Sequence, residues 1–206
     1  MFDFEFVLWF IVGFVYGSFP SGLWIVKAIH RIDIREYGSK NIGSTNVFRT
    51  VGAKTAILVL LADAGKGILA VWAASYFTGG DLYAMAVTGT GAILGHNYSM
   101  FLNFKGGRGV ATGLGLLLFF MPKVCGICFV IWLAIVLTTR YVSLGSVVGA
   151  TCTPLLAWYF DYPLPIQVFA LIAGTFVVVR HAENIKRLLN GTESKIKQGN
   201  IANLKK

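Results

Sequence analysis

Charge is scarce in this sequence. Only 13% of its 206 residues are charged, against about 25% in a typical soluble domain. Acids are scarcer still, with nine Asp and Glu against eighteen Lys and Arg. Cysteine and histidine number three each. Cys125, Cys128 and Cys152 all fall in apolar stretches, so no disulfide framework is expected. Cys125-Gly-Ile-Cys128 has the spacing of a redox or metal pair, but on an apolar helix small-residue packing accounts for it. The histidines are dispersed, and neither a His-x-x-Glu-His run nor a Cys/His set is present, so neither a metal nor a cofactor is expected. A Gly-x-Ser-x-Gly elbow is missing, and so is the Gly-x-x-x-x-Gly-Lys-Ser/Thr run of a nucleotide-binding loop. Asp3 and Glu5 stand where a secretory signal carries basic residues, and no cleavage site follows, so no cleavable signal is expected. Internal repeats and low-complexity linkers are lacking too.

Apolar residues fill the space. They make up 56% of the chain, and the mean hydropathy is +0.69. Several long apolar runs predict an all-α, multispanning membrane bundle forming a single domain over 1–206. The expected spans are 4–28, 55–77, 82–101, 110–121, 124–139, 142–160 and 164–179. The arms on either side of Met121-Pro122-Lys123 are shorter than the roughly 20 residues of a perpendicular span, so five crossings is the alternative to seven. The net charge of +9 does not point to nucleic acid. Its cations cluster at Lys27–Lys54, at Lys105 and Arg108, at Arg140 and in the tail from Arg180, whereas Asp3, Glu5, Asp81 and Asp161 have no basic neighbour close by. The positive-inside rule then places the N-terminus outside and the basic loops and C-terminus in the cytoplasm.

Two polar runs interrupt the apolar background. Gly38-Ser-Lys-Asn-Ile-Gly-Ser-Thr-Asn46 combines glycines, hydroxyls and amides with a cation, and Arg35 and Arg49 flank it. Such a loop can turn its N–H groups toward a phosphate, while arginine adds charge-assisted bonds. Phe104-Lys-Gly-Gly-Arg-Gly109 shows the same logic and opens a helix, whose N-terminal end favours anions. Two such cradles in a membrane protein suggest a phosphorylated, lipid-linked substrate. Asp63 and Lys66, three apart inside an apolar run, are expected to pair within the bundle. Arg180, His181 and Asn184 can share one face at the cytoplasmic boundary, and Ser143 and Ser146 follow Arg140-Tyr141 at the same level.

Seven motifs occur in an order that resembles one family. They are Tyr16–Gly22, Asp33–Asn46, Asp63–Gly67, Gly95-His96, Phe104–Thr112, Tyr141–Ser146 and Arg180–Glu193. Together they span nearly the whole chain and look like the bacterial acyl-phosphate:glycerol-3-phosphate acyltransferases, the PlsY-type enzymes of phospholipid synthesis. Arg108 departs from the family, which commonly has lysine there. The family does not use acyl-CoA or acyl carrier protein. That agrees with the absence of the His-x4-Asp pattern of another acyltransferase superfamily: the positions in question hold Arg35, Phe101 and Lys186.

The resemblance implies an integral-membrane enzyme with its site facing the cytoplasm, in a bacterial plasma or inner membrane. It would move a fatty acyl group from acyl phosphate to the 1-hydroxyl of glycerol 3-phosphate, giving lysophosphatidic acid and phosphate. The expected partners are these two substrates and membrane lipids, and a soluble acyl-phosphate-synthesising enzyme is admitted as a further one. In this assignment Ser39, Asn41, Gly43, Ser44, Thr45 and Asn46 hold the acyl-phosphate group, with Ser39 stabilising the departing phosphate. Arg49, Lys105, Gly106, Gly107, Arg108, Ser143, His181 and Asn184 surround glycerol 3-phosphate, and Arg108 stabilises charge. The proton acceptor is either His181 or the substrate's own phosphate. A transporter of a phosphorylated metabolite is the competing class; it usually shows repeated halves, which this chain lacks.

Overall fold

The computed structural model of the chain describes residues 4–199. Asp3, Lys205 and Lys206, which contribute to the expected orientation, lie outside them. The described residues form ten α-helices and no strand: α1 (Phe4–Ser18), α2 (Ser21–His30), α3 (Ser44–Val51), α4 (Ala53–Phe77), α5 (Leu82–Asn97), α6 (Val110–Phe120), α7 (Pro122–Thr139), α8 (Val142–Tyr159), α9 (Leu164–Arg180) and α10 (Ala182–Leu189). The chain runs back and forth between two poles. Lys123 sits 3.8 Å over the Phe160 ring, joining the α6–α7 turn to the end of α8 at one pole. Arg180 lies over Tyr98, 5.1 Å from the ring centroid, so α9 ends beside the end of α5 at the other.

Small residues set the packing. On α1, a Cβ at Gly13 or Gly17 would overlap the Thr88 or Ala92 carbonyl of α5; on α5, one at Gly91 or Gly95 would overlap the Phe10 or Phe14 carbonyl of α1. Each helix thus presents two glycines four residues apart, and the backbones touch along one seam. Gly115 of α6 meets Ala64 of α4 in the same way. Large apolar side chains face outward instead, among them Leu137, Leu155 and Leu171. Tyr76, Phe77, Tyr83, Trp158 and Tyr159 are exposed near the Asp81 and Asp161 turns, as expected of an interfacial aromatic belt.

Two expectations about the spans change. The first span, read over 4–28, stands as one membrane-length stretch over 4–30, but its helix is interrupted at Phe19-Pro20, because proline lacks an N–H and disfavours helix in the residue before it. The third expected span, now α5, ends at Asn97 rather than near 101; there the chain turns back and Gly106 N donates to Asn97 O at 3.1 Å. Among the described residues, four stretches suit a membrane crossing by length and composition: residues 4–30 taken together, α4, α7 and α8. The pair α9 and α10, bent by 56°, makes a fifth if counted as one. With 16 and 11 residues, α5 and α6 fall short of that length.

Candidate active site

The basic loops, far apart in sequence, meet at one pole over a cavity of about 410 Å³. Ser39, Asn41, Gly43, Ser44, Thr45, Asn46, Arg49, Arg108, Ser143, His181 and Asn184 all line it. Lys105, Gly106 and Gly107 do not, and neither does Arg35, which is tied to Asp33 at 2.6 Å. Beyond the polar end the cavity continues between α4, α6, α7, α8 and α9, with Leu60, Leu114, Leu117, Phe129, Trp132 and Phe169 among its walls.

The first loop is held from within by Asn46. Its Nδ2 donates to the carbonyls of Asn41, Tyr37 and Ile34 at 2.8, 3.1 and 3.3 Å, and its Oδ1 accepts from Ser39 N at 2.8 Å. Asn41 Oδ1 accepts from Gly43 N at 2.9 Å. A buried amide that satisfies four backbone groups fixes the loop as one rigid turn. The loop leads into α3, whose N-cap, Gly43, makes no side-chain capping bond. Uncapped helix-start amides are a ready anion site.

The second loop differs. Gly107 N donates to His96 O at 2.9 Å, and the Gly106 and Gly107 carbonyls accept from Arg180 at 3.3 and 3.1 Å. Its glycines are required for close approach: a Cβ at Gly106 would overlap His96 O, and one at Gly107 would overlap the His96 ring. Beneath it Asp63 pairs with Lys66 at 2.8 Å, and His96 Nδ1 lies 3.7 Å from Asp63. Lys66 also donates to Phe19 O at 2.7 Å, next to the break between α1 and α2. The expected ion pair is present and extends to a histidine that the sequence does not link to it.

A carboxylate that pattern alone does not single out organises the polar end. Glu193 accepts from Ser143 Oγ at 2.7 Å, Asn184 Nδ2 at 2.8 Å and Arg187 Nε at 2.7 Å. Burial pushes its carboxyl up, but these three hydrogen bonds outweigh that and hold it below the usual range. In sequence it closes the last motif, Arg180–Glu193, as an acid within a basic tail, with no spacing that assigns it a role. Arg49 donates from Nη2 to Ser194 O at 2.7 Å, while its buried Nε has no partner. The Arg108 guanidinium is lowered to about 10, first by burial and then by Arg187, Arg49 and Arg180, with Glu193 opposing. Arg49, Arg108 and Arg187 around Glu193, with Arg180 close to Arg108, leave a surplus of positive charge that a phosphate dianion can neutralise.

His181 follows α9. Its Nδ1–H donates to Val177 O at 2.7 Å, leaving Nε2 as the unprotonated acceptor. Burial lowers its pKa to about 4, the Val177 bond opposes this, and Arg108 adds to the lowering. The ring is therefore neutral near pH 7. Asn184 Oδ1 is buried without a partner. Beside the guanidiniums, the polar end thus offers two neutral acceptors suited to hydroxyl groups.

Comparison with known proteins agrees with this geometry. Residues 7–191 match the family model described as glycerol-3-phosphate acyltransferase. The chain is 44% identical over 186 residues to the glycerol-3-phosphate acyltransferase of Synechococcus sp. (strain JA-3-3Ab), covering 90% of this chain and 91% of that protein. To the enzyme of the same name from Fusobacterium nucleatum it is 40% identical over 193 residues, covering 93% and 98%. Two crystal structures of PlsY, described as an integral membrane glycerol 3-phosphate acyltransferase, share the fold. The glycerol 3-phosphate form superposes with a TM-score of 0.87 at 37% identity, covering 93% of this chain and 96% of that one. The lysophosphatidic acid form gives 0.85 at 36%, covering 92% and 94%. The chain belongs to the glycerol-3-phosphate acyltransferase family.

Proposed function

We propose that this enzyme transfers a fatty acyl group from acyl phosphate to the 1-hydroxyl of glycerol 3-phosphate. The carrying observation is the shape of this cavity: a polar end bearing Arg49 and Arg108 opens directly into an apolar trough. Both substrates carry phosphate and one carries a long tail, so both ends are used. Relatives named glycerol-3-phosphate acyltransferase, and a PlsY form with lysophosphatidic acid, support the acceptor and the product.

The first loop and the start of α3 hold the acyl-phosphate group. Arg49, Arg108, Ser143, His181 and Asn184 hold glycerol 3-phosphate. The acceptor hydroxyl oxygen attacks the acyl carbonyl carbon, the bond from that carbon to the phosphate oxygen breaks, and inorganic phosphate leaves. An acyl phosphate is already activated, so no covalent enzyme intermediate is needed, and positioning with charge stabilisation carries the rate. The hydroxyl proton goes to a substrate phosphate. The low basicity of His181 makes it a hydrogen-bond acceptor that orients the substrate rather than the base. The helical bundle, with seven crossings if the short α5 and α6 also span and five if they do not, lies in a bacterial plasma or inner membrane with the basic pole, and hence the site, in the cytoplasm. There a soluble acyl-phosphate-synthesising enzyme can deliver the donor.

Purified protein in detergent is incubated with hexadecanoyl phosphate and radiolabelled glycerol 3-phosphate, with hexadecanoyl-CoA as the control donor. Labelled lysophosphatidic acid from acyl phosphate alone is expected. Product from acyl-CoA alone overturns the donor, and no product from folded protein overturns the reading.

A further inference from the structure

The apolar arm of the cavity has a definite depth. On α9, Val177, Gly174, Ala173 and Phe169 line it below His181; on α8, Ser146, Gly149, Ala150 and Thr153 line it below Ser143. At about 1.5 Å per residue, the path from His181 to Phe169 is about 18 Å and that from Ser143 to Thr153 about 15 Å. The Phe169 ring, 1% exposed, packs on Phe120 with centroids 5.0 Å apart. Beyond these rings Met121 and Ile166 are buried too, so the arm ends on solid core. Thr153 gives its hydroxyl to Gly149 O at 2.9 Å, which leaves its methyl as the apolar surface it can offer.

The geometry points to Phe169 as the residue that sets the upper length of the acyl chain, with Phe120 buttressing it. This deepens the proposed acyl-phosphate reaction and rests on it. An extended hydrocarbon of about 1.5 Å single bonds advances about 1.3 Å per carbon, so the arm takes about 12 to 14 carbons beyond the reacting carbonyl. Tetradecanoyl chains fit, hexadecanoyl chains just reach the Phe169 ring, and eicosanoyl chains would run about 6 Å or more past it.

Two substitutions move the limit in opposite directions. Phe169→Ala removes the floor and opens the space in front of Gly89, where a built Cβ would stand 3.0 Å from the Phe169 ring. Gly149 lies on the wall six residues below Ser143, and the nearest atom to a Cβ there is Cys128 O at 3.8 Å, so the backbone has room for the Cβ of Gly149→Leu, whose side chain narrows the arm. Octanoyl, hexadecanoyl and eicosanoyl phosphate are supplied as donors to wild type and to each variant. Phe169→Ala raises the eicosanoyl-to-hexadecanoyl ratio of kcat/KM about tenfold, and Gly149→Leu lowers the hexadecanoyl-to-octanoyl ratio about tenfold, the scale expected of a shaped apolar pocket. KM for glycerol 3-phosphate stays unchanged in both. Thermal shifts with lysophosphatidic acids of the same three chain lengths repeat the test without turnover, so failure of the donor assignment is told apart from failure of the length limit. If Phe169→Ala does not fold, Gly149→Leu decides. Ratios that remain within twofold of wild type overturn the inference and mean that the chain leaves sideways into the bilayer.

Discussion

The two glycine-and-cation loops look alike in sequence and do different work. In residues 38–46 the glycines belong to a turn pinned by one buried asparagine, ahead of an uncapped helix start. In residues 104–109 the Gly106 and Gly107 backbone groups are bonded to α5 and to Arg180, and the glycines let the chain lie against His96. Both loops lead into helix starts without a side-chain cap, α3 after Gly43 and α6 after Gly109, and the second also delivers a cationic side chain, Arg108, to the cavity. A glycine-rich loop is therefore not a phosphate cradle by composition alone: in both loops the glycine turn has bonded amides, Ser39 and Gly43 N in the first and Gly106 and Gly107 N in the second, and the uncapped groups are those of the helix start that follows.

The difference can be broken most sharply at Arg108. Arg108→Ala is expected to lower kcat/KM by about 10²- to 10³-fold, as for loss of a preorganised charge donor, while thermal stability is retained or improved because a desolvated cation is removed. Arg108→Lys recovers most of the loss if charge matters more than the fork. The next effect separates the glycines. Gly107→Ala drives a methyl into the His96 ring and is expected to cost about 1–3 kcal/mol of stability, the usual price of overpacking, read as a lower midpoint in thermal unfolding. Gly43→Ala is expected to be mild. Its φ is −72°, and a Cβ there meets only Asn41 Oδ1, at 3.0 Å. Equal losses at both glycines would erase the distinction.

A third test uses pH. The folded pKa of His181, about 4, lies below its ordinary 6.5. Between those values the unfolded chain binds more protons, so stability rises with pH through that window and is lost as pH falls. His181→Gln is expected to flatten the slope between pH 6.5 and 4, with melting temperature as the readout. It should raise KM for glycerol 3-phosphate far more than it lowers kcat; abolished turnover at saturating substrate would instead make His181 the base. The smallest effect is at Lys105, which is exposed and away from the cavity. Lys105→Ala is expected to change kcat/KM less than about threefold, in line with the weak contribution of exposed charges.

Much of the helical layout is legible in sequence because apolar runs and charge clusters are local signals. The turn at Met121-Pro122-Lys123 and the Asp63–Lys66 pair follow from such signals. The break at Pro20 is also local, yet a run of apolar residues on both sides hides it. Glu193 is not legible, since its partner Ser143 lies 50 residues away and no spacing rule joins them. His96 likewise joins Asp63 only once α4 and α5 pack together.

Composition and the order of motifs alone determined that this chain is an apolar helical bundle with cationic, glycine-rich loops, because hydropathy and charge act residue by residue. Tertiary structure decided what each loop's amides bond to, which arginines converge and how deep the apolar arm runs. Those properties depend on which backbones touch, and here that is settled by glycine seams between helices distant in sequence.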